Sequence, residues 1–259
     1  MSSPSSRNMT FQFGPGRLTP AVKALIYANV AGYLITWMAP SLRLTEILGL
    51  RPMAVVENFW IWQPVTYMFL HGGLLHVLFN MLALWMFGVE LERLWGTRFF
   101  TTYYFVAGVG AALTTILCSL LWYFAATQDS WLFRFAEPLY TIPTIGASGA
   151  IYGLLLAYGL TWPNRPIYVW GVFPIPAKVF VLIFGAISFL SSVSGSDSGV
   201  AHATHLGGIL VGYIYLAGRR GGLSTRIRSQ FLRWRLNRLR RRFNVHEGGR
   251  KDDINRRIH

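Results

Sequence analysis

The amino-acid sequence predicts an all-α polytopic membrane protein, a bundle of six transmembrane helices with both termini on the inner side of the bilayer. Three observations carry that prediction. The chain is 53% hydrophobic and only 13% charged, against roughly 25% charged for an ordinary soluble domain. Apolar stretches near or above the roughly 18 residues that signal a spanning helix recur six times, some of them short or interrupted. Lysines and arginines between the stretches concentrate on alternate connections.

The first stretch, Ala21–Met38, has Arg17 and Lys23 at its start. Its apolar part is long and no clear small-x-small cleavage site precedes Pro40, so it reads as a retained span rather than a removed signal peptide. The second, Val77–Leu91, reaches spanning length only by absorbing His71 and His76, which puts both histidines inside the membrane. The third, Phe99–Ala125, is long enough by itself. The fourth, Ala147–Thr161, is short: from Gly146 to Trp162 it makes about 26 Å of helix at 1.5 Å per residue, less than the roughly 30 Å hydrocarbon core. Its outer end is therefore expected to start below the membrane surface. The fifth, Val179–Leu190, needs a start near Val172 and a course through Pro174 and Pro176. The sixth is Leu206–Ala217, with His202-Ala-Thr-His205 opening it.

With an inner N-terminus, the inner segments hold Arg7, Arg17, Lys23, Arg93, Arg98, Arg165, Lys178 and every basic residue from Arg219 onward. The outer loops hold Arg43, Arg51 and Arg134. The excess of basic residues on cytoplasmic loops then orients the chain N-in and C-in. Residues 1–20 read as a cytoplasmic N-terminal segment, 21–218 as the six-helix membrane domain and 219–259 as a basic cytoplasmic tail. That tail supplies most of the formal +14 charge. At about 1 kcal/mol per basic residue near an anionic leaflet, its expected partner is lipid headgroups rather than nucleic acid. Cys118, the only cysteine, allows neither an internal disulfide framework nor a thiolate zinc site.

Strongly polar side chains within a span cost several kcal/mol unless paired or hydrated, so they are functional candidates. His71-Gly-Gly-Leu-Leu-His76-Val-Leu-Phe-Asn80 opens the second span, Gly146-Ala-Ser148-Gly149 the fourth and His202-Ala-Thr-His205-Leu-Gly-Gly208 the sixth. In this topology all three spans run inward, so the three groups meet in the outer leaflet. His76 and Asn80 are four residues apart and share a helical face, as do Ser148 and Tyr152, and as do His205, Gly208 and Gly212. Small residues along the His205 face permit close approach of membrane helices. A serine becomes a nucleophile when a histidine within hydrogen-bond reach takes its proton. The chemistry is then a Ser148–His205 dyad. The one carboxylate near the outer ends of those two spans is Asp197, in a Gly/Ser-rich loop. Tyr152 is placed to pack against His205, and His76 and Asn80 to donate to an oxyanion beside the Ser148 N–H.

These blocks, His71-x4-His76-x3-Asn80, Gly146-x-Ser148-Gly149 with Tyr152, and His205-x2-Gly208-x3-Gly212, resemble the rhomboid family of intramembrane serine proteases, over about Ala21 to Gly218. The resemblance implies a rhomboid-like fold and serine endopeptidase activity with Ser148 as nucleophile, His205 as general base, and His76 and Asn80 as oxyanion donors. It also implies no cofactor, single-span membrane proteins as substrates, and Glu92 before Gly96 bracing the inner side, in the loop after the second span. The expected location is the bacterial cytoplasmic (inner) membrane. Where the family often carries Trp-Arg in its first loop, this chain has Trp62-Gln63, a departure that falls on the bracing of that loop. His202 is a polar neighbour of the dyad, serving water or oxyanion contacts or neither, and His71 reads as a tie for the outer loop.

Other classes fit less well. A metal site is disfavoured because His71 and His76 are five residues apart, about 140° around a helix, and no His-Glu-x-x-His occurs. A transporter would need polar partners in the inner half. A non-proteolytic rhomboid-like membrane chaperone keeps the fold but loses the serine or the histidine, and this chain has both.

Overall fold

The computed structural model describes residues 14–125, 133–169, 173–193 and 199–219. Helix α1 (Pro20–Met38) is followed by three short helices, α2 (Leu44–Leu48), α3 (Pro52–Glu57) and α4 (Gln63–Thr66). A continuous helical run from Leu74 to Trp95 follows, made of α5 (Leu74–Ala83), a π-helical stretch at Leu84–Gly88 and α6 (Val89–Trp95). Then come α7 (Thr97–Ala125), α8 (Phe133–Thr141) and α9 (Ser148–Thr161). An antiparallel hairpin, β1 (Pro166–Val169) with β2 (Phe173–Pro176), precedes α10 (Ala177–Val193) and α11 (Gly199–Arg219). Three of these helices, Pro20–Met38, Leu74–Trp95 and Thr97–Ala125, are long and apolar enough to cross a membrane, and Ser148–Thr161 and Ala177–Ile187 are shorter apolar helices. The first compact unit of the chain ends at Leu216; of the second, only Ala217–Arg219 lies among the described residues.

The core sits around α7, whose Phe100, Tyr103, Tyr104, Ala107, Ala111 and Ala112 are fully buried. Two tyrosines turn that packing into positioned contacts. The Tyr67 hydroxyl donates to the Gly108 carbonyl at 2.8 Å, and the Tyr103 hydroxyl donates to the Gly153 carbonyl of α9 at 2.7 Å. Leu182, Leu190 and other large apolar side chains of α10 are left facing outward, which suits a lipid solvent.

The start of α1 is held by a carboxylate. Glu92 is 2% exposed and accepts from the backbone N–H groups of Ala21 at 2.9 Å and Val22 at 3.0 Å, and from the hydroxyls of Thr19 and Thr97. The first N–H groups of a helix have no intrahelical carbonyl, and a negative charge at that end is favoured by the helix dipole. Glu92 therefore caps α1 from another helix. Its bracing role comes from within α6, not from a loop after the second span, because the helix runs on to Trp95.

Two further expectations change. The helix begins at Leu74, so it contains His76 but not His71; Trp95 at its far end supplies the length that His71 was expected to provide. The fifth span does not run through Pro174 and Pro176. Proline inside a helix removes a backbone donor and clashes with the preceding turn, so these residues form β2 and α10 begins only at Ala177. The chain is mostly helical rather than wholly so.

The first loop is braced by Gln63. Its side chain is fully buried; the amide donates to the carbonyls of Glu46 and Ile47 while the oxygen accepts the Arg51 N–H at 2.9 Å. Trp62 adds an indole donor to the Ile47 carbonyl at 2.9 Å.

Candidate active site

Ser148 is the first residue of α9, so its N–H is one that no intrahelical carbonyl takes. The segment leading to it is pinned by three backbone hydrogen bonds. Thr144 exchanges two backbone hydrogen bonds with Leu50, and the Gly146 N–H donates to the Tyr67 carbonyl at 2.9 Å. Gly146 has φ +124°, a conformation that side-chain-bearing residues rarely adopt. It has no room for a side chain either: a Cβ there would lie 2.8 Å from His76 Nε2 and 3.6 Å from Ser148 Oγ.

His205, in the second turn of α11, places Nε2 2.8 Å from Ser148 Oγ. The imidazole lies flat on the Tyr152 ring, centroids 4.2 Å apart and planes 7° from parallel, which fixes its plane from the same helix that carries Ser148. The two helices come this close because the residues between them are glycines. A Cβ on Gly208 would collide with the carbonyl oxygen of Gly149, and one on Gly212 would sit 3.3 Å from the Gly153 Cα.

Across the serine stand the donors of α5. Asn80 is buried, with one amide hydrogen donated to the His76 carbonyl at 2.8 Å, so its second amide N–H is available. His76 Nδ1 accepts the Gly72 N–H at 3.4 Å; a neutral imidazole accepting at Nδ1 carries its proton on Nε2, the nitrogen beside Gly146 and Ser148. A cavity of about 330 Å³ opens between these groups, with His76, Asn80, Ser148 and Tyr152 on its wall among apolar side chains, including Phe79, Leu155 and Phe184 of α10. It is large enough for a few side chains of a bound peptide and mostly apolar around its polar floor.

The remaining candidates lie at the margin. His71, 3% exposed, meets the His76 ring edge-on at 4.9 Å, and among the described residues neither of its nitrogens has a hydrogen-bond partner. It touches His76. His202 is half-buried with its ring 5.4 Å from that of His205. Asp197 lies outside the described residues, as does the basic tail beyond Arg219. Among the described residues no group of three or more His, Cys, Asp and Glu side chains is arranged to hold a metal ion.

Sequence reasoning missed Tyr67, Tyr103 and Phe184. The two tyrosines are lost among twelve, and nothing local marks a hydroxyl whose acceptor lies 41 or 50 residues away. Phe184 carries no polar signal.

The sequence is similar to those of known proteins. Residues 58–220 match the family model described as the rhomboid domain. The chain is 31% identical over 163 residues to the Rhomboid protease AarA of Providencia stuartii, covering 59% of this chain and 53% of that protein. It is 28% identical over 165 residues to the Rhomboid protease GluP of Bacillus subtilis, covering 63% and 27%. To "Rhomboid protein 1, mitochondrial" of Saccharomyces cerevisiae it is 30% identical over 154 residues, covering 57% and 38%. The chain thus spans less than two thirds of the length of each of these curated relatives. Since the family model covers well over half of its residues and its helices include three of membrane-spanning length and composition, the chain belongs to the rhomboid family of membrane proteins.

Proposed function

We propose that this protein is an intramembrane serine endopeptidase that cuts membrane-spanning proteins near the outer leaflet. In this reading α1, the run from α5 to α6, α7, α9, α10 and α11 are six spans with both ends inside, in a bacterial inner membrane, and the basic tail meets anionic headgroups. The single observation that supports it most is the 2.8 Å contact of Ser148 Oγ with His205 Nε2, made beneath a plane-fixing tyrosine.

The reaction follows from those positions. As Ser148 Oγ attacks the scissile carbonyl carbon, its proton passes to His205 Nε2. The carbonyl oxygen becomes an oxyanion that receives hydrogen bonds from the Ser148 N–H, His76 Nε2–H and the free Asn80 amide N–H. Collapse breaks the C–N bond, and imidazolium His205 returns the proton to the leaving amine. Water then attacks the acyl-Ser148 ester with His205 again taking the proton, and the serine leaves as the free hydroxyl.

A serine-directed fluorophosphonate tests this directly, because a protease and a span-binding chaperone of the same fold disagree about whether Ser148 can be phosphonylated. Labelling at Ser148 alone is expected, abolished with cleavage in Ser148→Ala and nearly so in His205→Ala. The two losses should not add, since nucleophile and base act as a unit. Undiminished proteolysis by purified Ser148→Ala would sink the assignment; folded protein that neither labels nor cleaves any tested span would make it a binding protein.

A further inference from the structure

Between α9 and α10 the chain makes a feature that the protease reading does not use. β1 and β2 pair in register Pro166↔Pro176, Ile167↔Ile175, Tyr168↔Pro174 and Val169↔Phe173. Ile167 is buried at 6%, but toward the far end Tyr168 and Phe173 are 57% and 64% exposed. By the alternation of strands these two rings point to opposite faces of the ribbon.

The hairpin's base is fixed at a definite level. Ala177 N–H donates to the Arg165 carbonyl and Lys178 N–H to the Pro163 carbonyl, so β1 begins and β2 ends beside the end of α9. There Arg165 makes a two-point ion pair with Glu90 and lies over the rings of Trp162, at 5.5 Å, and Tyr158, at 5.9 Å. Tryptophan, tyrosine and arginine at the end of an apolar helix mark the membrane–water interface. The spans on either side are short: α9 and α10, of 14 and 17 residues, make about 21 and 26 Å at 1.5 Å per residue, under the roughly 30 Å core. A hairpin with strands about 13 Å long at this junction therefore lies in or against the headgroup layer.

Its composition suits that layer and no other. In hydrocarbon the outer edges of a two-stranded ribbon would leave backbone donors unpaired. Pro166, Pro174 and Pro176 remove three of those donors outright, and headgroup water can serve the rest. Aromatic rings exposed on both faces fit a fluid that surrounds the ribbon better than a protein surface, which would cover one face.

We propose that the β1–β2 hairpin is a membrane-surface anchor, inserting Tyr168 and Phe173 into the phospholipid headgroup layer on the side of the bilayer opposite Ser148. It extends the short spans α9 and α10 at their common end and holds the start of α10 at a set depth. The proposal rests on the spanning reading of these helices but not on the chemistry at Ser148.

The sole cysteine, Cys118, makes the test direct. In a Cys118→Ser background, single cysteines replacing Tyr168, Phe173 or, as a mid-span reference, the 55% exposed Leu113 are labelled with an environment-sensitive fluorophore. The full chain is reconstituted in phosphatidylcholine–phosphatidylglycerol vesicles carrying nitroxide at the headgroup or at mid-chain. The two hairpin positions should be quenched more by headgroup than by mid-chain nitroxide and should lose accessibility to aqueous iodide; the reference should show the opposite depth order. Hairpin probes quenched by iodide but by neither lipid, while Leu113 reports mid-chain, would overturn the anchor. So would probes shielded from iodide and both lipids, because protein would then cover the hairpin. A Leu113 probe untouched by lipid would overturn the spanning reading and the anchor with it. Fluorophosphonate labelling of the same vesicles reports on Ser148 separately.

Discussion

Replacing Gly146, two residues before Ser148, by alanine should damage the proposed catalysis through His76. The new Cβ would stand 2.8 Å from His76 Nε2 and 3.1 Å from its Cε1, whereas heavy atoms in contact prefer about 3.5 Å or more, so the imidazole must retreat by about 0.7 Å. Misplacement on that scale costs about 10²-fold in well-aligned sites, and complete loss of one oxyanion donor costs about 10²–10³. Turnover of a transmembrane-segment reporter in detergent should therefore fall by about 10²-fold, approaching 10³, with KM little changed because the donor acts on the intermediate. The φ of +124° adds about 1–3 kcal/mol of backbone strain, which a thermal unfolding scan reads as a lowered midpoint. The double mutant Gly146→Ala/His76→Ala separates the causes. If the alanine acts by displacing His76, adding it to His76→Ala should cost little further turnover. Turnover within about threefold of the parent for folded Gly146→Ala, or losses that multiply fully in the double mutant, would refute the reasoning.

Asn80→Ala should lower kcat by about 10- to 10³-fold with KM little changed, whereas His71→Ala should act mainly on thermal stability; steady-state kinetics beside a melting curve distinguishes them. Tyr152→Phe keeps the ring stacked on His205 and should retain turnover within a few fold, while Tyr152→Ala frees the imidazole and should lose about 10-fold or more. Glu92→Ala strands the Ala21 and Val22 N–H groups and two threonine hydroxyls, and should destabilise by about 2–5 kcal/mol in a denaturant titration, with little effect on kcat in the folded fraction.

The dyad is legible in sequence because its geometry is written in helical spacing. Gly208 and Gly212 fall on the His205 face and Tyr152 on the Ser148 face, so each residue's own helix announces which side it presents. A bracing role for Glu92 follows from the family resemblance, but its partners are not legible, since Glu92 bonds groups 70 and 71 residues away and nothing around it in the chain names them. Gln63 is similar: losing the arginine expected after Trp62 gives no hint that an amide can both donate to Glu46 and Ile47 and accept from Arg51. The hairpin was open to prediction. Hydrophobicity alone carries Val172–Pro176 into the fifth span, but prolines two residues apart cannot continue a helix interior, and that signal outranks apolarity. A length requirement alone draws His71 into the helix, yet Glu92–Trp95 meets that requirement at the other end.

The π-helical stretch Leu84–Gly88 has a consequence for how this family member can change. One additional residue in a helical turn offsets everything beyond it by about 100° at 3.6 residues per turn. Upstream of the stretch the helix aims His76 and Asn80 at the serine; downstream it aims Glu92 at the start of α1. The insertion sets the phase between those two tasks, so removing a single residue there should leave one end correctly aimed and swing the other away. One continuous helix thus serves two targets that a regular α-helix of the same sequence could not both face.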